Sequence, residues 1–219
     1  QPGVRLHIAD IRGFLAANAD RYDLIQISPL GSAVPPAAGS GHALETQSLY
    51  TIEGLELALS RLTPDGLLSL TLPLELPPRG AVKAAATLVA ALQQLDRSTD
   101  PFAHLAIIRT WNTATLVAAR APFSDRQREA VRAFCSARAF DLDWLPGLPS
   151  TEVNRVNILD RPYLYEAVQE LRQGLPNRQL ATFNLAPATD DRPWFSHFFR
   201  WSSLPSLWAL RTSGGAALL

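Results

Sequence analysis

Residues 49–74 read LYTIEGLELALSRLTPDGLLSLTLPL, and this stretch decides the fold class. Leu49, Ile52, Leu55, Leu59 and Leu62 step by three or four, the spacing of one apolar helix face, which predicts a helix of about 15 residues. The turn signal TPDG (63–66) stops it, and GLLSLTLPL (66–74) then reads as a strand. Upstream, YDLIQIS (22–28) is short and mostly apolar, which predicts a strand buried on both faces. Strand, helix, strand is the crossover unit of a parallel sheet, since parallel neighbours cannot be joined by a tight hairpin.

Working outward, Val4, Leu6 and Ile8 alternate with Arg5 and His7, a period-2 strand ending at Asp10. A short helix follows with Ile11, Phe14 and Leu15 inward. After PPRG, the residues Val82, Ala85, Val89 and Leu92 mark a helix ending near Leu95. HLAIIRTW (104–111) and TATLVAAR (113–120) lie so close together that they can only form an antiparallel pair. Ser124 and Gln127 make a capping box, opening a helix that carries Cys135. Pro162, Leu164, Ala167, Val168 and Leu171 give a last helix, closed by Gly174. The Gly/Pro-rich stretch 29–44 is too long for a simple connection and reads as a lid, a binding loop or a disordered link. The predicted fold class is α/β, with a mostly parallel sheet, a C-terminal antiparallel strand pair and additional C-terminal helices. By analogy of fold alone, that is a partial methyltransferase-type (Rossmann-like) sheet.

Composition narrows the function classes. With 219 residues and 47% hydrophobic content, the chain can bury a core, and 18% charged residues exclude a disordered or coiled-coil protein. Twenty basic and twenty acidic residues cancel, which argues against a surface built for nucleic acid. Lys83 is the one lysine beside nineteen arginines, a bias read as genome composition. One cysteine excludes an internal disulfide and any Cys-rich metal site; Cys135, four residues after Val131, reads as a buried inert thiol. His7, His42, His104 and His197 lack metal-ligand spacing, so no metal is expected. With no methionine, no signal peptide and no run of 18 apolar residues, the chain reads as a soluble piece of a longer protein.

Open α/β sheets bind ligands at the carboxyl ends of their strands, where Asp10 and Ser28 stand. Asp10 can accept hydrogen bonds from a ligand amine or cap the next helix, two equally good readings. Ser28, without a partner base, reads as a turn residue rather than a nucleophile. Gly31, Gly39 and Gly41 do not form a phosphate loop. Asp141 and Asp143 flank Leu142 in an extended segment and read as two solvated carboxylates on one side. In Asp190-Asp191-Arg192, adjacent acids repel unless paired, so Arg192 or a backbone cap is expected to take one in a structural clamp.

VRLHIADIRGFL (4–15), YDLIQIS with its long loop, and residues 49–79 together resemble the spermidine synthase family of aminopropyltransferases, closest to its large membrane-associated bacterial members. TWNTATLVAARAPFS (110–124) and PATDDRPWF (187–195) resemble the tail of those proteins. The resemblance implies that Asp10 binds the adenine amine of decarboxylated S-adenosylmethionine and that Ile11 offers its backbone to the ring. The family's catalytic acid follows a pattern like YDxIxxD, and here Ser28 occupies its position. A hydroxyl with no adjacent base cannot deprotonate the attacking amine, so aminopropyl transfer as the family performs it does not follow. The loop 29–44 corresponds to the family's gate over the polyamine site, without its acids.

The resemblance also implies an organisation. Residues 1–122 would be a partial methyltransferase-like α/β domain, 123–200 a helical extension packed on it, and 201–219 a tail leading toward a membrane segment. The intact protein would work at the cytoplasmic face of the bacterial inner membrane, with decarboxylated S-adenosylmethionine or S-adenosylmethionine as cofactor. Its partners would be a small-molecule substrate of the polyamine class and the membrane portion of the same polypeptide. Two other activities fit: a non-catalytic ligand-binding or regulatory domain, and a small-molecule methyltransferase. In the methyltransferase-type order, two strands absent from this chain lie between VRLHIAD and YDLIQIS, which leaves Leu24, Ile25 and Ile27 on an open edge. The expected repair is direct parallel pairing of those segments through a right-handed crossover over residues 9–22, or pairing of the open edge with a second chain as a homodimer.

Overall fold

The computed structural model describes residues 3–28, 48–175 and 180–201. YDLIQIS forms β1 (Tyr22–Ile27), parallel to β2 (Leu62–Pro73), and the helix α2 (Ile52–Ser60) crosses between them. The crossover helix is shorter than its periodicity suggests because Thr51 caps it, accepting from the Gly54 N–H at 3.1 Å. Leu49, on a separate helical turn, and Leu62, at the start of β2, lie outside α2 yet stay buried, so the apolar stripe extends beyond that helix. TPDG does not separate helix from strand; it bulges within β2, since Tyr22 pairs with Leu62 and Leu24 with Leu67.

The five strands lie in the order β1-β2-β4-β3-β5, with β3 (Leu105–Arg109), β4 (Thr113–Ala119) and β5 (Asp141–Trp144). β3 and β4 form the expected antiparallel hairpin. The hairpin returns toward β2, so β4 sits antiparallel between β2 and β3, and β5 runs antiparallel on the far side of β3. This corrects the mostly parallel sheet: among the described strands β1–β2 is the one parallel pairing, although β1, β2 and β3 all point the same way. The region after residue 122, expected to contribute helices, also supplies β5.

Strand alternation divides the core between two faces. Leu105 and Ile107 of β3 join Leu68, Leu70 and Leu116 in one cluster, under α2 and α3 (Arg79–Leu95). Ala81, Ala84, Ala85 and Ala91 are fully or almost fully buried, and their small side chains let α3 approach closely. Ala106 and Ile108 point the other way, toward Cys135 of α4 (Asp125–Arg138), whose Ser124–Gln127 capping box is complete. The last helix, α5 (Tyr163–Arg172), ends as expected at Gly174, which takes φ +67°.

The largest departure is at the start. Val4–Ile8 is not a strand: its apolar side chains are exposed, and no described residue pairs with its backbone. The direct pairing with β1 is therefore not formed. The helix α1 (Ile11–Ala17) is held elsewhere, by Arg61 Nε donating to the Leu15 carbonyl at 2.9 Å and Arg12 Nη1 to the Ser48 carbonyl at 3.1 Å. β1, expected to be buried on both faces, is instead an edge strand with Leu24 exposed. The loop 29–44 and the tail 202–219 lie outside the described residues, among which no helix is long and apolar enough to cross a membrane.

Candidate functional site

Asp10 and Ile11, expected to bind cofactor at a strand end, follow an unpaired segment and not a strand of the sheet. Asp10 caps α1, its Oδ2 accepting from the Gly13 N–H at 2.6 Å. Ile11 opens the same helix with its side chain half exposed. Ser28 follows β1, exposed, and no described carboxylate or imidazole bonds to its hydroxyl. Among the described residues it has no group to take its proton.

Buried charge gathers instead where β3 and β5 end. Asp141 and Asp143, two apart on a strand, do share a face, but they are buried rather than solvated, because Arg109 at the end of β3 lies between them. Its Nε donates to Asp143 Oδ2 at 2.7 Å, and its Nη2 lies 3.5 Å from Asp141 Oδ2. The remaining guanidinium donors reach the Asn157 carbonyl at 2.6 Å and Asn154 Oδ1 at 3.1 Å. Asp141 also accepts from the backbone N–H groups of Arg155, Val156 and Asn157 at 2.7, 2.9 and 2.6 Å. Asn154 turns the chain there in the left-handed region, φ 54°, its amide bridging to both backbone groups of Leu159.

The two carboxyls are driven in opposite directions. Burial works against ionisation of Asp141, but the N–H groups of Val156 and Asn157, the Arg109 charge and the Arg155 N–H outweigh it and hold its carboxyl below the usual range. For Asp143 burial wins over Arg109 and pushes the carboxyl up, with Asp141 adding to the shift. Asp143 Oδ1 is the one buried side-chain polar atom without a partner among the described residues. Every other arm of the cluster is spent on protein groups. Its work is to clamp the loop 153–159 to the sheet. Two features of the sequence carry a signal for it: an Asp-x-Asp spacing on one strand face, and an arginine closing an otherwise apolar strand.

A second clamp uses Asp190, as expected, but its partner is Arg12 and not Arg192. Arg12 grips both carboxylate oxygens, one of them at 2.7 Å; the Thr51 hydroxyl donates at 2.8 Å; and the Asp190 N–H donates to Glu53 Oε2 at 3.0 Å. The Arg12 hydrogen bonds hold this carboxyl below its usual range. Lys83 forms a third tie that composition alone hides. Buried in α3, its Nζ donates to the Trp194 and His197 carbonyls, both at 3.1 Å, and lies 5.3 Å from the Phe198 ring. Burial brings its pKa down to about 8.

Burial pushes the Cys135 thiol up to about 11, which leaves it inert. His104 is buried between the Ala119 carbonyl and the Thr99 hydroxyl. A cleft of about 680 Å3, lined by Arg21, Leu62, Thr99, His104 and Arg120, opens where β2 begins, at the end of the sheet away from Ser28. Among the described residues no group of three His, Cys, Asp or Glu side chains could hold a metal ion. Compared with models of known protein families the chain matches none, and no curated protein matches it.

Proposed function

We propose that this chain is part of a spermidine synthase-like domain, related to the S-adenosylmethionine-dependent transferases, that binds its nucleoside ligand without transferring an aminopropyl group. The observation that carries the reading is the direction of the strands. β1, β2 and β3 point one way with β4 reversed between β2 and β3, the order expected for the C-terminal half of a methyltransferase-type sheet. Asp10 and Ile11 at the start of α1 and Ser28 after β1 are the residues that the resemblance assigns to the ligand and the acceptor. Ser28, exposed and without a basic partner among the described residues, favours binding over turnover. In the intact protein the ligand would be decarboxylated S-adenosylmethionine or S-adenosylmethionine, at the cytoplasmic face of a bacterial inner membrane.

Titration of the chain with 5′-methylthioadenosine, followed by the backbone amide resonances of Ile11 and Gly13, tests this. Weak, saturable shifts at those amides are expected. Asp10→Ser, which keeps the helix cap, should weaken them about tenfold, the effect of one lost hydrogen bond to a buried amine. No shift at millimolar ligand, or shifts confined to the cleft beside Arg120, would overturn the assignment. With decarboxylated S-adenosylmethionine and putrescine, no methylthioadenosine should form.

A further inference from the structure

Arg109 faces two carboxyls, and the fold treats them unequally. Asp141 accepts four hydrogen bonds: the N–H groups of Arg155 and Val156 reach one oxygen, and the N–H and side-chain amide of Asn157 reach the other. Asp143 accepts one, from Arg109 Nε to Oδ2 at 2.7 Å; its Oδ1 is buried and meets no donor among the described residues. The side chains of Arg109, Asp141 and Asp143 are 1, 1 and 2% exposed, so their charges must balance against one another and not against bulk solvent. One cation cannot balance two anions. With both carboxyls ionised the cluster would carry a net negative charge sealed from water, and a bare carboxylate oxygen there costs far more than a neutral carboxyl.

We propose that Asp143 keeps its proton in the folded chain at neutral pH, and that this proton is a latch on the loop 153–159. With Asp143 neutral, the Arg109 charge belongs to Asp141, and the same guanidinium holds the Asn157 carbonyl at 2.6 Å and Asn154 Oδ1 at 3.1 Å. On the alkaline side the Asp143 carboxyl gives its proton to solvent. The anion left behind competes with Asp141 for the guanidinium, and the loop opens to let water reach the excess charge. Burial acts in the same sense, pushing this carboxyl above its usual range. A carboxyl raised on folding contributes stability at acid pH that is lost as pH rises through its folded value, so opening belongs to the alkaline side. The charges that act on Asp143 are Arg109 from β3 and Asp141 from its own strand. Cys135 of α4 stays a neutral thiol, and Tyr165 of α5 lies against Trp144. The latch is independent of the proposed function, and its residues all lie between 109 and 159.

Two measurements on the full chain test this. The carboxyl carbon resonance of Asp143 in the wild-type protein, which needs no variant, should be that of a protonated acid at neutral pH. Amide hydrogen exchange from about pH 5 to about pH 9 reads the loop at Arg155, Val156, Asn157 and Leu159, whose N–H groups donate to Asp141 and Asn154. With the intrinsic pH dependence of exchange divided out, opening should grow by up to about tenfold per pH unit above the point where Asp143 ionises. Asp143→Asn, an isostere of the protonated acid, should fold and abolish that growth, while Asp141→Asn should open the loop at every pH. A carboxylate resonance for Asp143 at neutral pH, loop opening with the same pH dependence in wild type and Asp143→Asn, or an Asp143→Asn chain that unfolds while Asp141→Asn stays folded would each overturn the proposal.

Discussion

Replacing Arg109 by leucine removes the cation that two buried carboxylates share. Asp143, its side chain 2% exposed, would lose the 2.7 Å bond to Nε and keep no partner on either oxygen. Asp141 would keep its three backbone N–H donors and remain a satisfied anion. Removing one member of a buried ion pair costs about 3–5 kcal/mol. The lower half of that range is expected here, because the Asp143 carboxyl is already pushed up by burial and can escape by taking a proton. Urea unfolding followed by circular dichroism measures the cost; with a slope of about 2–3 kcal/mol/M, the midpoint should fall by about 1–2 M. The Arg109→Leu/Asp143→Leu double variant removes the stranded charge with its partner and should recover at least half of the loss. A single variant within about 1 kcal/mol of the wild type, or a double variant no better than the single, would refute the clamp.

Two further outcomes follow from single residues. Lys83, brought from 10.5 to about 8 by burial, is charged in both folded and unfolded chains below pH 8, so its burial cost is then fully present. From pH 8 to 10.5 the folded chain loses that proton first, and stability should rise by up to about 3 kcal/mol; Lys83→Met should flatten this rise in denaturation at pH 7 and pH 10, and an equal rise in both proteins would count against it. At Gly54 an added Cβ would stand 2.6 Å from the Ser48 carbonyl oxygen and 2.8 Å from that of Leu49. Gly54→Ala should cost about 1–3 kcal/mol and lower Tm by about 3–10 °C; an unchanged melting curve would mean that this close approach is absent.

What could be read from the sequence was what residues close in the chain decide for themselves. The Ser124 capping box, the β3–β4 hairpin and the Gly174 stop each lie within a few residues, and each formed where expected. Partners chosen across the chain were not legible. Asp143 meets Arg109 from 34 positions away and Asp190 meets Arg12 from 178, so local context suggested solvent for the first and Arg192 for the second. β5 is four residues long and half acidic, too short for any periodicity to show. The alternation of Val4, Leu6 and Ile8 marks a side-chain pattern, but a strand also needs a neighbour, which periodicity cannot supply. Lys83 passed as a remnant of composition because nothing near it in sequence indicates the two carbonyls that hold it.

The position of β4 divides the sheet in its resistance to solvent. It joins a local partner, β3, across a tight turn to a distant one, β2, whose paired residues lie about 45 positions earlier. Opening β4 therefore means separating both neighbours at once. In deuterium exchange the amides of Leu116, Val117 and Ala118 should wait for global unfolding, while α1 and β1 reopen through smaller and cheaper fluctuations. The last structure to yield would be the reversed strand at the centre, not the parallel strand–helix–strand unit that first identifies the fold.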